Sequence, residues 1–243
     1  MMEVIYWKSR WVKKTMYFPW YLRAGELLKL FYAEKKFKQD NITISSLKLE
    51  DRINQASISQ IPPGYEKIKQ ATDELKFSMA SDIETGSLLR TLAASKPSGR
   101  FLEFGTGTGL ATIWIMAGLD ENSSLISIDN NESLMNVATK YINDSRIEFI
   151  LGDAYEWIKN YQGRKFDFIF ADAMPGKYDL FEETIDFLND GGIYIIDDML
   201  PQPNWPLGHD EKVKYLTNKL EERNDLAVTQ LNWSTGIIIA TKK

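Results

Sequence analysis

From residue 100 onward, short apolar runs alternate with longer amphipathic stretches. The runs are Arg100–Phe104 (RFLEF), Leu125–Asp129 (LISID), Ile147–Leu151 (IEFIL), Phe166–Asp172 (FDFIFAD) and Gly192–Asp197 (GIYIID). Their β-branched and aromatic content suits strands buried on both faces. Between them, residues 110–118, 132–142, 154–161 and 178–189 carry apolar positions at helical spacing. This alternation predicts a parallel sheet with helices on both sides. A charged helix follows over 209–223. Ala227–Trp233 and Gly236–Thr241 then flank Ser234-Thr235-Gly236. That break predicts a hairpin, so the sheet ends antiparallel.

Ahead of the sheet, Asp82 is placed to cap a helix running from Ile83 to about Ser95, closed by Pro97 and Gly99. Pro62-Pro63-Gly64 marks a break before another helix near 65–76, and residues 20–38 read as a basic, aromatic-rich amphipathic helix. The expected organisation is a helical N-terminal extension over 1–76 that roofs an α/β domain over 77–243.

Composition narrows the chemistry. The chain has 243 residues, 44% of them hydrophobic, enough for one sizeable core. It has no cysteine, which excludes thiolate nucleophiles, disulfides and zinc-thiolate sites. A single histidine, His209, excludes a multi-histidine metal site, so any metal would be a hard cation held by oxygen. The net charge of −5 argues against nucleic acid as a partner. Residues 1–40 are the exception, with nine Lys/Arg against four Asp/Glu. The basic helix there is expected to pack on the domain or on a second copy of the chain, as in a homodimer. A membrane surface, an acidic partner or closure over the site are the alternatives. No apolar run reaches membrane-spanning length and the N-terminus lacks the apolar core of a secretory signal, so the expected location is cytoplasmic.

The chemistry-bearing signal is Glu103-Phe104-Gly105-Thr106-Gly107-Thr108-Gly109, placed between a strand and a helix. Such a turn exposes backbone N–H groups and lets a ligand approach the main chain closely. A dinucleotide fingerprint needs its third glycine at 110, where Leu110 stands, and the Gly-Lys-Ser/Thr of a phosphate loop is absent. Asp129 ends the next strand, 26 residues after Glu103. A carboxylate there can accept both hydroxyls of an adenosine ribose. The bland alternative is a packing turn with Asp129 as a strand-end cap.

This turn resembles motif I of the class I S-adenosylmethionine-dependent methyltransferases. More narrowly, residues 77–243 resemble the cation-dependent O-methyltransferases of the catechol and caffeoyl-CoA type. Phe77-Ser78-Met79, Glu84-Thr85-Gly86, Gly152-Asp153-Ala154, FDFIFADA and GGIYIIDDML are similar to successive elements of that family. The resemblance implies a Rossmann-like, doubly wound sheet of seven strands with the last antiparallel. It also implies S-adenosylmethionine as cofactor and a small-molecule hydroxyl as acceptor. The implied cofactor-binding residues are Met79, Ser81, Glu103, Gly105, Thr106, Gly107, Gly109, Asp129, Asn130, Gly152, Asp153, Ala154 and Asp172.

Asp172, Asp197 and Asp198 fall at the ends of adjacent strands, where carboxylates repel unless a cation neutralises them. At the matching positions the family holds a divalent metal, usually Mg²⁺, with two Asp and one Asn; here Asp198 replaces the Asn. Turn caps in a metal-independent enzyme are the alternative role for these three aspartates. The family's basic lysine lies three positions after its metal aspartate, where this chain has Pro175. Asp172 and Lys177 are the catalytic candidates, with Lys177 reaching in from a loop re-aimed by Pro175-Gly176. A solvated surface Lys177 is the simpler expectation. His209 is read as a helix-start residue or a base, and Trp205 and Trp233 as packing residues or substrate walls. A cofactor-binding protein without catalysis and a nicotinamide oxidoreductase are the rival classes.

Overall fold

The computed structural model describes residues 60–203 and 205–243. The basic helix expected over 20–38, and most of the expected N-terminal extension, lie outside the described residues. Within them the chain runs α1 (Tyr65–Glu74), α2 (Ile83–Ala94), β1 (Arg100–Phe104), α3 (Leu110–Gly118), β2 (Ser124–Asp129), α4 (Glu132–Tyr141) and β3 (Ile147–Leu151). It continues through α5 (Ala154–Asn160), β4 (Phe166–Ala171), α6 (Phe181–Asp186), β5 (Leu188–Ile196), α7 (His209–Glu222), β6 (Leu226–Leu231) and β7 (Ile237–Lys242).

The seven strands form one sheet in the order β3-β2-β1-β4-β5-β7-β6. The first five are mutually parallel, and β7 is antiparallel to both β5 and β6. Strand order reverses between β1 and β4, so the loops leaving their carboxyl ends diverge and open a crevice there.

Two apolar layers hold the sheet. On one face Leu89 and Ala93 of α2, Leu110–Met116 of α3 and Ile68 of α1 pack against Phe101, Leu125, Phe168 and Ile195. Helix α3 is buried nearly all round, which follows from its seven successive buried residues. On the other face α5, α6 and α7 bring Ile158, Ile185, Leu216 and Leu220 against Leu102, Ile169, Tyr194 and Ile196. Alternate residues of β1, β4 and β5 thus enter opposite layers, and both must be apolar.

Caps fix where the helices start. The Asp82 side chain accepts from Thr85 N at 2.8 Å, as its sequence position predicts. Asn131 and Asp153 cap α4 and α5 in the same way. The Ser234-Thr235-Gly236 break is a hairpin that pairs Leu231 with Ile237.

Two expected boundaries are corrected. The helix expected over 178–189 is only Phe181–Asp186, preceded by one kinked turn at Met174–Lys177. Pro175 takes an extended backbone and Gly176 a φ of 80°, which breaks helical continuity. Strand β5 starts at Leu188, not Gly192, because Phe166 pairs with Leu188 ahead of a bulge. The Gly191-Gly192 pair is therefore carried inside the strand.

Candidate active site

The glycine turn leaves β1 with left-handed backbone at three points: Gly105 (φ 97°), Gly107 (φ 52°) and Gly109 (φ 92°). Two of these glycines face protein and not open space. A Cβ on Gly105 would lie 2.7 Å from the Asp172 carbonyl oxygen, and one on Gly109 would lie 2.8 Å from Ala138 Cβ. Gly107 is less confined, with Phe77 at 3.2 Å. The turn is anchored by Gly105 N donating to Ile128 O at 2.9 Å and by Asp172 N donating to Phe104 O at 2.9 Å.

Asp129 closes β2 beside this turn. Its Oδ2 accepts from Gly107 N at 2.7 Å and its Oδ1 from Asn131 N at 2.8 Å. A carboxylate has about four acceptor sites, so two remain for a ligand. Asn130 next to it is exposed. Gly152 N donates to Asp129 O at 2.9 Å, which places the Gly152-Asp153-Ala154 element at the same end of the sheet. Asp153 spends one oxygen on Tyr155 N at 2.7 Å.

Glu103 is placed differently from an open ligand carboxylate. It is fully buried beneath the turn, and its Oε2 accepts from Thr112 at 2.6 Å and Ser127 at 2.5 Å. Thr106 joins this network through Ser127 at 2.6 Å. Glu103 Oε1 has no protein partner among the described residues. Burial pushes the carboxyl up to about 7, against the lowering effect of the Ser127 and Thr112 hydroxyls. Thr112 and Ser127 are site residues that sequence reasoning misses, since nothing in their spacing marks them.

The second half of the site is a cavity of about 100 Å³, lined by the 78–81 segment, Asp172, Asp197, Asp198, Gln202 and Thr235. Met79 and Ser81 thus meet the three aspartates, and Met79 is 67% exposed. Asp197 is buried and accepts from the Thr235 hydroxyl of the β6–β7 hairpin and from Asp198 N. Asp198 has a φ of 56°, a conformation that Asn and Asp tolerate better than most residues, so either suits the turn.

Burial and the neighbouring Asp197 raise Asp172 well above the ordinary carboxylate range, and the charge of Lys177 opposes them. Burial likewise pushes Asp197 up to about 6, offset by the Thr235 hydroxyl and by Lys177. Lys177 is itself only 4% exposed, so the expectation of a solvated side chain is corrected. The turn at Pro175-Gly176, closed by Gly176 N donating to Asp179 O at 2.8 Å, swings Lys177 inward. Its amine lies 5.2 Å from the Tyr178 ring centre. Among the described residues, no group of three or more Asp, Glu or His side chains is set as a cage for a metal ion.

The O-methyltransferase family model matches residues 57–243. The chain belongs to the O-methyltransferase family. A protein of Mycobacterium ulcerans (strain Agy99) named as an O-methyltransferase is 29% identical over 117 residues, covering 46% of this chain and 52% of its own. The chain therefore spans about half the length of that relative. The structure of the O-methyltransferase TomG from Streptomyces achromogenes, solved with SAM, superposes with a TM-score of 0.66 at 22% identity, covering 76% of this chain and 91% of that one. An O-methyltransferase from Bacillus cereus, solved with SAH, gives a TM-score of 0.68 at 21% identity over 78% of this chain and 96% of its own. These structures establish the shared fold. Among the described residues, no helix is long and apolar enough to cross a membrane.

Proposed function

We propose that this O-methyltransferase-family chain transfers a methyl group from S-adenosylmethionine to a hydroxyl of a small molecule in the cytoplasm. One observation carries the reading: the glycine turn and the aspartate-lined cavity share a wall, with the Asp172 carbonyl 2.7 Å from where a Gly105 Cβ would stand. A donor on the turn and an acceptor in the cavity would therefore be neighbours, as an in-line displacement requires.

Asp129 offers its two free acceptor sites to the ribose, and Gly105, Gly107 and Gly109 give the main chain its course around the cofactor. Thr106 and Asn130 flank that ribose, and Gly152, Asp153 and Ala154 border the adenine. Met79 and Ser81 cover the methionine end. Glu103 braces the turn from beneath through Thr112 and Ser127.

On the acceptor side, Asp172 and Lys177 act on the reacting oxygen. The Lys177 cation, buried beside Asp172 and Asp197, supplies the positive charge that stabilises oxygen as its proton leaves. The Lys177 reading does not call on a metal. The cavity favours a second reading nonetheless, because three carboxylates around one small space are the oxygen donors of a hard cation such as Mg²⁺. In that reading Asp172, Asp197 and Asp198 would hold the ion, which would acidify the hydroxyl.

The test is methyl transfer from radiolabelled S-adenosylmethionine to a panel of phenolic and aliphatic hydroxyl compounds, with and without a chelator. Turnover that survives the chelator supports the Lys177 reading. Turnover lost to the chelator and restored by Mg²⁺ supports the second. Tight S-adenosylhomocysteine binding without transfer to any acceptor would overturn both.

A further inference from the structure

Pro175 leaves no lysine at the family's base position, and the proton of the acceptor hydroxyl still has to go somewhere. The only histidine in the chain, His209, is close enough to Asp198, which lines the cavity, to feel its charge. Its Nε2 is 2.9 Å from the Tyr178 hydroxyl, and the two rings meet edge to face with centres 5.2 Å apart. Trp205 packs on the other side of the imidazole at 4.5 Å between centres. His209 is therefore fixed in orientation by two aromatic neighbours from two different segments, although it begins a helix capped only by Gly208.

The pair is joined to the site by charge, and through the Lys177 amine over the Tyr178 ring. Tyr178 follows Lys177 on the same turn, and its hydroxyl feels the charges of Asp198 and Asp172. The groups facing His209 are Lys177, Asp198, Lys212 and Asp210, besides Tyr178. Burial first, then the cations Lys177 and Lys212, hold the imidazole below its ordinary value, against Asp198 and Asp210. It is thus neutral at neutral pH, the state that accepts a proton.

We infer that Tyr178 and His209 form a proton relay that takes the acceptor's hydroxyl proton during methyl transfer. This rests on methyl transfer being the reaction at the site. The acceptor oxygen forms a bond to the methyl carbon as the S–CH₃ bond breaks, and that electron pair stays on sulfur. The hydroxyl proton passes to Tyr178 Oη while the Tyr178 proton moves to His209 Nε2. The half-buried imidazolium then releases its proton to solvent. The sulfonium's positive charge is thereby exchanged for one released proton. Lys177 has a complementary part: its fixed charge disfavours a lingering imidazolium and so speeds the release.

The experiment combines kinetics with the nuclear magnetic resonance of a lone histidine, whose ring signals need no assignment. In the wild type, the imidazole should titrate below about 6.5, and the acidic limb of the kcat profile should share its midpoint. Tyr178→Phe and His209→Gln should each lower kcat tenfold or more, with unchanged S-adenosylhomocysteine affinity by calorimetry. The acidic limb should vanish in His209→Gln, and the double variant should be no slower than the worse single one. His209→Gln with wild-type kcat and an intact acidic limb would overturn the relay. So would a wild-type imidazole midpoint well away from that limb, a result needing no variant to fold. A wild type that binds S-adenosylhomocysteine but transfers methyl to nothing would overturn the reaction itself, and the relay with it.

Discussion

Replacing Gly105 with alanine tests the shared wall between the two halves of the site. Gly105 has a φ of 97°, so any side chain there is strained by roughly 1–2 kcal/mol. The new methyl would also stand 2.7 Å from the Asp172 carbonyl oxygen and 3.1 Å from its carbon, where ordinary contact begins at 3.4 Å. That oxygen belongs to backbone at the end of a central strand and cannot swing aside as a side-chain tip would. Overpacking of this kind costs about 1–3 kcal/mol, giving about 2–5 kcal/mol in all. Gly191 supplies the control, with a φ of 75° and nothing within 4 Å of where its Cβ would stand. Gly191→Ala should cost only the strain, about 1–2 kcal/mol. At roughly 2–4 °C per kcal/mol for a domain of this size, thermal unfolding should separate the variants. Displacement of Asp172 should also weaken S-adenosylhomocysteine binding in Gly105→Ala and leave it unchanged in Gly191→Ala. If Gly105→Ala unfolds no earlier than Gly191→Ala, the wall is not rigid and the argument for contiguous donor and acceptor sites fails.

Two further outcomes follow from the cofactor side. Asp129→Ala removes the acceptor of the Gly107 and Asn131 N–H groups, and the loss of a charged hydrogen bond costs about 1.5–3 kcal/mol. Calorimetry should show S-adenosylhomocysteine bound about 10- to 100-fold more weakly, whereas unaltered affinity would remove Asp129 from the binding site. Glu103 is raised from 4.5 to about 7 in the folded chain, so its contribution to stability is whole below 4.5 and is lost as pH rises to about 7. That loss is about 3 kcal/mol. Urea unfolding at pH 5 and pH 8 should therefore show the wild type losing stability relative to Glu103→Gln, and parallel behaviour would mean the carboxyl is not perturbed.

The strands and most helix starts are legible in the sequence because local chemistry decides them. Arg100–Phe104 and Ile147–Leu151 are short runs dominated by Phe, Leu and Ile, and their observed limits match those runs. Asp82 announces its helix because a β-region aspartate can satisfy an orphan N–H three residues on. Periodicity fails over 178–189 because it cannot see that Leu180 takes a left-handed φ of 59° ahead of Phe181, or that Leu188 is drawn into β5. Gly176 packs against Phe104, its Cβ position only 2.7 Å from that ring, and this contact turns Lys177 inward. A buried lysine is written nowhere in the sequence around it. For Glu103 the motif identifies the residue but not its place, because Thr112 and Ser127, which draw it under the turn, come from two other elements.

The two halves of the site differ in how the chain encodes them. The cofactor half is made of strand ends and the turns immediately after them, at 103–109, 129–131 and 152–154. Its geometry follows from backbone conformation and from sheet register, which place Gly105 beside Asp172 and Gly152 beside Asp129. The acceptor half collects the 78–81 segment, the 172–178 turn, Asp197 to Gln202, and Thr235 from the hairpin. Each comes from a different part of the chain, and each is free to vary without disturbing the sheet. In one of them the Pro175-Gly176 turn carries the buried Lys177 and a Tyr178 hydrogen-bonded to His209. If the proposed relay holds, the proton-accepting group can change with one loop while the glycine turn stays as it is, which is how one fold can serve many acceptors.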